Sequence, residues 1–336
     1  MISNRLRLAR QARGLSLQQL AELMQGMHVP ITKGTLSNYE TGKIVPQEKV
    51  LDRLAMALSV TPEFFNEPEW NDFHAELYNL PDGISSVLLT HLLSHIEMEL
   101  SQYLKVCDLL PDPRSSIIYK RTFVHLNEKD KIRSVCDEIR RIWNIGNGAI
   151  HSICSMLEEE NWVLLPISDF VDVPAVSGVE TSRNIRFLFY TPTPYVDEFR
   201  MLLLKELGRA YLECDKEETN EVLSYFAREI LLPADIIRKQ FGEKRIKILQ
   251  DELLFAKQKF GVSQREIMNR LWELGIVSDE LYGNFKLYVN QIGFIRRENR
   301  SSTLIGFQEE PQRFLQKRAR ASADGLLDSD IGLVYR

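Results

Sequence analysis

The sequence predicts a mainly α-helical protein with one small β-sheet, an α+β fold. Three observations carry that expectation. Apolar residues recur at three- and four-residue spacing through most of the chain, as Ile2, Leu6 and Ala9 do at its start. Only three short runs read as strands, at 162–166, 171–176 and 185–190, and they sit between two sets of helical stretches. With 336 residues, 44% apolar and 26% charged, the chain is long enough for two or three ordinary globular cores.

The elements follow in order. The first helix runs to about Ala12 and stops at Gly14, where a left-handed turn is easiest for glycine. Ser16 is an N-cap with Gln19 as its capping-box partner, and Leu20, Ala21 and Met24 form the inward stripe of the second helix. After a looser segment at 25–30, a third helix starts at Thr32, turns Leu36 inward and ends at Gly42. Pro46 opens a fourth helix with Val50, Leu51, Leu54, Ala55 and Leu58 on one side. Thr61 and Pro62 begin a last short turn carrying Phe64 and Phe65.

Residues 84–106 form one long helix with Val87, Leu88, His91, Leu92, His95, Ile96, Leu100 and Leu104 on or near one face. His91 and His95 are four apart, a spacing that can grip a metal. No third ligand accompanies them, so packed histidines in an interdomain or dimer helix are expected. A helix at 128–143 is basic on one side through Lys131, Arg133, Arg140 and Arg141. His151 and Cys154, three apart in the next helix, are expected as a buried pair. Residues 201–233 read as two helices joined by a charged turn at 214–219. Ser263 and Ser278 cap two further helices, followed by the basic group Arg296, Arg297 and Arg300 and, at 308–336, a docking helix with an extended end.

Charge is uneven. The net value of −5 argues against wholesale coating of nucleic acid, yet Arg5, Arg7, Arg10, Arg13, Lys33, Lys43, Lys49 and Arg53 crowd the front. Cys107, Cys136, Cys154 and Cys214 form no C-x-x-C pair and are expected as reduced thiols. The first residues lack the apolar stretch of a signal peptide, and no run reaches the roughly 20 apolar residues of a membrane span. A cytoplasmic protein with no membrane partner is expected.

The strings RLRLARQARGLS, QQLAELM, TLSNYETGK and VLDRLAMALSVTPEFF resemble the Xre family, the phage-repressor and Cro type of helix-turn-helix regulator. The resemblance implies a five-helix repressor-like domain that reads a double-stranded DNA operator as a homodimer. A helix entering the major groove must offer short polar and cationic side chains to base edges. Thr32, Lys33, Thr35, Ser37 and Asn38 are the candidates; Lys33, Lys43, Gln18 and Arg13 are candidates for the phosphate backbone. Leu17 stands where the family often has glutamine, with Gln18 beside it, and the turn before the third helix is about five residues longer than in the shortest members. Glu40 is expected to hold a neighbouring helix or Arg10.

Further on, DEIRRIWNIG, MLEEENWVLLPI, FAREILLP, VSQREIMNRLWELGIVSDELYGNF and EEPQRFLQKRARASADGLL, in that order, resemble the ImmA/IrrE zinc metallopeptidases. This implies a zincin-like α+β domain behind a helical linker, with expected divisions at 1–68, 69–127, 128–260 and 261–336. The family's H-E-x-x-H falls on Lys205, Glu206, Leu207, Gly208 and Arg209, and its third ligand on Val222, one position from Glu221. Cations cannot donate a lone pair to zinc. No catalytic residue, resident metal or cofactor is expected. Lys205, Glu206, Arg209 and Glu229 are expected to form a degenerate cleft, filled by salt bridges or open to a small anionic ligand or a protein partner. The leading expectation is a dimeric repressor with an inactive metallopeptidase-like domain. The rivals are a zinc protease that cleaves a repressor, using Glu206 with His91 and His95, and an antitoxin-like protein whose main task is to hold a partner.

Overall fold

A computed structural model describes residues 2–80, 83–110, 120–146, 148–167, 170, 173–291, 307 and 309–326. The front comprises α1 (Ile2–Ala12), α2 (Leu17–Gly26), α3 (Lys33–Glu40), α4 (Glu48–Leu58) and a 3-10 turn, Pro62–Asn66. Ser16 and Gln19 form the expected reciprocal cap: Ser16 Oγ accepts from the Gln19 N–H at 3.2 Å and Gln19 Oε1 from the Ser16 N–H at 2.8 Å. Leu6, Ala9, Leu20, Met24, Leu36, Leu54, Leu58 and Phe65 are fully buried and make a separate small core.

Next come β1 (Ala75–Leu77), α5 (Ser86–Leu109), β2 (Thr122–Phe123), α6 (Lys129–Ile142), α7 (Ile153–Glu159), β3 (Val163–Pro166), β4 (Ala175–Glu180), β5 (Ile185–Tyr190), α8 (Val196–Tyr211), β6 (Leu212–Glu213) and α9 (Thr219–Leu231). The chain continues through α10 (Ala234–Phe241), α11 (Gln250–Phe260), α12 (Gln264–Glu273), α13 (Asp279–Gln291) and α14 (Arg313–Ala323). The fold is thus α+β, mainly helical with a small mixed sheet. Its strands run β1-β4-β5-β3, with β3 parallel to β5 and the other pairs antiparallel.

Alternation along the strands divides two cores. Phe187 and Phe189 of β5 and Val163 and Leu165 of β3 face α5, while Leu188, Tyr190 and Leu164 face the helices of the other layer. Residues 69–127, expected as a linker, therefore supply an edge strand and a covering helix to this sheet. Residues beyond 261 contribute Val262, Ile267, Met268 and Leu271 to the larger core and Phe314 to the α5 side, where its ring stacks on Tyr103 at 5.3 Å.

Two expectations need correction. The second strand begins at Ala175, because Pro174 has no N–H for the ladder, and it extends to Glu180 to meet β1; of the expected run, Val171 and Asp172 lie outside the described residues. His151 and Cys154 do not form a buried pair. Ser152 is the N-cap of α7, so His151 precedes the helix and is exposed against the Phe307 ring at 6.4 Å, while Cys154 is buried. Arg296, Arg297 and Arg300, and the extended end beyond residue 326, lie outside the described residues.

α8 and α9 cross at Gly208, where a Cβ would lie 2.9 Å from Leu223 Cδ2 and 2.9 Å from Phe226 Cδ1. Gly208→Ala is expected to lower stability by about 1–3 kcal/mol through overpacking. Gly283→Ala on α13, with nothing within 4 Å, is expected to be neutral or to stabilise by up to about 1 kcal/mol. Thermal and urea denaturation of the two variants measure the contrast.

Candidate functional site

α3 packs against α1 and α2, and Leu36 and Glu40 are its buried side. At about 100° per residue, Asn38 falls opposite that edge, beside Gly34, with Ser37 on the flank. Thr32 is the N-cap, its hydroxyl accepting from the Thr35 N–H at 3.2 Å and lying 3.0 Å from the Thr35 hydroxyl. Thr32, Lys33, Gly34 and Lys43 are exposed, and Thr35, Ser37 and Asn38 are half-buried. The helix thus presents a bare N-terminal turn edged by a lysine, followed by short polar groups. Thr41 donates its hydroxyl to the Ser37 carbonyl at 2.8 Å, and the Asn38 carbonyl accepts from the Lys43 N–H at 3.0 Å. Those bonds place Lys43 at the far end of the same face. Gln18 is exposed on the first turn of α2, where its amide donates to Glu22 at 2.9 Å. Arg13 is exposed in the turn between α1 and α2.

A largely buried ion pair sets the attitude of α3. Arg10 of α1 donates to both oxygens of Glu40, at 2.5 and 2.8 Å, and its third nitrogen reaches the Leu15 carbonyl at 2.7 Å. One guanidinium thereby ties the first helix, the turn before α2 and the end of α3 together. On the other side, Arg5 donates to the Phe64 carbonyl and to Glu67, which also receives Lys105 of α5.

The second group of candidates is in the sheet-containing unit. Glu206 of α8 is buried; its carboxylate accepts the Ser177 hydroxyl of β4 at 2.6 Å and Arg209 Nε at 3.1 Å. Burial pushes its pKa above the ordinary value of 4.5, against the pull of Arg209 and Ser177. Lys205 turns the other way and donates to Asn220 of α9 at 3.2 Å. Burial lowers its ammonium pKa, opposed by Glu266. Val222 is fully buried in the apolar core.

Glu229 is not brought to this group. It lies beyond the α8–α9 crossing at Gly208, where α6 and α12 flank α9, and pairs with Arg270 at 2.6 Å and with Arg133 at 3.6 Å. Among the described residues, His91 and His95 belong to no cluster of three potential metal ligands. Both rings pack on Phe170, with centroids 4.4 and 5.6 Å away, and His91 also covers Gly14 of the front domain.

Residues 2–64 match the family described as a helix-turn-helix domain. The front of the chain is such a domain, of Xre-like organisation, and so carries the structure of a DNA-binding module. No curated protein and no solved structure matches the chain. Among the described residues, no helix is long and apolar enough to cross a membrane.

Sequence reasoning overlooked Ser177, although a lone hydroxyl within the apolar run of β4 is a signal that it serves a buried polar partner. It also overlooked Gly34, whose bare backbone opens the start of α3.

Removing one partner of a buried ion pair strands the other charge. Glu40→Ala is expected to destabilise the N-terminal unit by about 3 kcal/mol, measured by urea denaturation, and to weaken DNA binding with it. A second expectation concerns pH. Folding favours the protonated form of Glu206, so stability linked to this group is full below pH 4.5 and declines as pH rises through the raised value. Glu206→Gln is expected to flatten that decline in melting temperature, scanned from about pH 4 to pH 8.

Proposed function

We propose that this protein is a sequence-specific transcriptional regulator, a repressor that binds a double-stranded operator as a homodimer in the cytoplasm. The observation that carries the reading is the outer face of α3. Its Thr32 cap and lysine-edged bare turn are open to solvent and Ser37 and Asn38 are half-buried beside them, while the Arg10–Glu40 pair holds the helix in place. Side chains of that size and polarity match base edges in the major groove, and Lys33, Lys43, Gln18 and Arg13 surround them as phosphate contacts. A single module of this kind covers one half-site, so a two-fold dimer on a palindrome is the fitting assembly.

The C-terminal unit is, in this proposal, an ImmA/IrrE-like scaffold without peptidase activity that serves assembly, a partner or an anionic ligand. Support comes from the residues at the ligand positions. Lys205 and Arg209 are cations engaged with Asn220 and Glu206, and Val222 is buried apolar packing. Glu206 has a hydroxyl and a guanidinium on its oxygens in place of a metal-bound water.

Selection of bound sequences from random duplexes with the full chain, followed by fluorescence anisotropy, tests the DNA reading. Asn38→Ala and Ser37→Ala are each expected to lower specific affinity by about 1–3 kcal/mol. Lys43→Ala is expected to weaken binding evenly across sequences and to reduce the salt slope by about 1. Failure to enrich any sequence, or unchanged affinity in all three variants, would sink the proposal.

A further inference from the structure

We propose that His125, Asp215 and Glu218 form a binding site for a first-row divalent transition cation, Zn²⁺ foremost, at the turn between α8 and α9. His125 Nδ1 lies 3.4 Å from Asp215 Oδ2 and 3.6 Å from Glu218 Oε2. The three donor atoms all lie within 4.8 Å of one another. These separations exceed the about 2.7–3.2 Å of an N–H···O hydrogen bond. They match the edge of a coordination polyhedron instead: two ligands bonded at about 2.1 Å and set at a tetrahedral angle are about 3.4 Å apart.

The donor set narrows the cation. One imidazole nitrogen favours zinc and its transition-metal neighbours over calcium or magnesium, and two carboxylates supply the charge that a dication neutralises.

Separate groups orient the donors. The Leu126 N–H donates to Glu218 Oε2 at 3.0 Å, and the Phe123 ring meets the His125 ring edge-on at 5.2 Å. Such outer partners hold ligands at a fixed angle in metal sites. The donors come from two distant parts of the chain, brought together by the parallel β2–β6 pairing and the Val124 N–H bond to the Glu213 carbonyl at 2.8 Å. Side chains of His125 and Asp215 are 47% and 56% exposed, so water completes the coordination shell and the metal exchanges with solvent. A bound cation clamps the segment around His125 to the start of α9.

The test uses the full chain stripped of metal by a chelator and titrated with ZnCl₂ in a calorimeter, with melting temperature as a second readout. One Zn²⁺ per chain and a raised melting temperature are expected, with much weaker binding of Ca²⁺. His125→Ala, Asp215→Asn and Glu218→Gln are each expected to weaken Zn²⁺ binding by at least about tenfold, since even loss of an outer partner costs that much. Glu218→Gln keeps an acceptor for the Leu126 N–H, and circular dichroism checks that each variant folds. His91→Gln is expected to leave the affinity unchanged. The proposal is overturned if the stripped chain takes up no Zn²⁺, or if binding survives the His125 and Asp215 substitutions.

Discussion

α5 is buried from two directions, and the arrangement of the chain depends on it. Met98 enters the core of the helix-turn-helix domain, while Leu92, Ile96, Leu100, Tyr103 and Val106 cover the sheet. A helix with apolar contacts on both flanks cannot act as a loose tether, because separating either neighbour returns buried apolar surface to water. The contact is reinforced at its ends. His91 lies between the Gly14 turn and Phe170, and Glu67 joins Arg5 of α1 to Lys105 of α5. Whatever fixes the sheet-containing unit in space therefore fixes α3 as well.

Buried charges do a different job in the rest of the chain. Arg200 is fully buried and pairs with Glu309, whose oxygens also accept the N–H groups of Ile153 and Cys154. That one carboxylate anchors the end of the chain to α7 and α8. A second set alternates in sign from Arg133 through Glu229, Arg270, Glu273 and Arg228 to Glu266, tying α6 and α9 to α12. Pairs like these add little net stability over apolar packing, but losing one member is costly, so they select one arrangement of helices. The interior around α8 is thereby held by ion pairs and hydrogen bonds, and both oxygens of the buried Glu206 carboxyl group are hydrogen-bonded. The outer face of α3, with Lys33 and Gly34 exposed, is the side proposed to meet DNA.

Much of this was legible in the residues themselves, because the signals were local. Ser16 with Gln19, Thr32 before α3, and Ser263 and Ser278 before later helices each cap a helix through atoms within three positions. Periodicity likewise located α5 and the strands at Val163 and Ile185. The short polar residues of α3 were readable for the same reason, since they occupy consecutive turns of one short helix. The cleft was less legible. Glu206 and Arg209 are close in sequence and pair as neighbours on a helix do, yet Glu229 goes elsewhere because a helix crossing at Gly208, invisible in one dimension, divides the two.

The sequence by itself determined the helical class, the caps, the alternation of the strands and the polar face of α3, all of which rest on interactions between residues a few positions apart. Only the tertiary structure decided that β1 and α5 join the sheet, that His91 and His95 pack on Phe170, and that Glu309 closes on Arg200. It alone brought His125 beside Asp215 and Glu218. Those contacts join segments tens to more than a hundred residues apart. Their partners are chosen by burial and charge in the packed interior, and neither spacing nor periodicity along the chain encodes that choice.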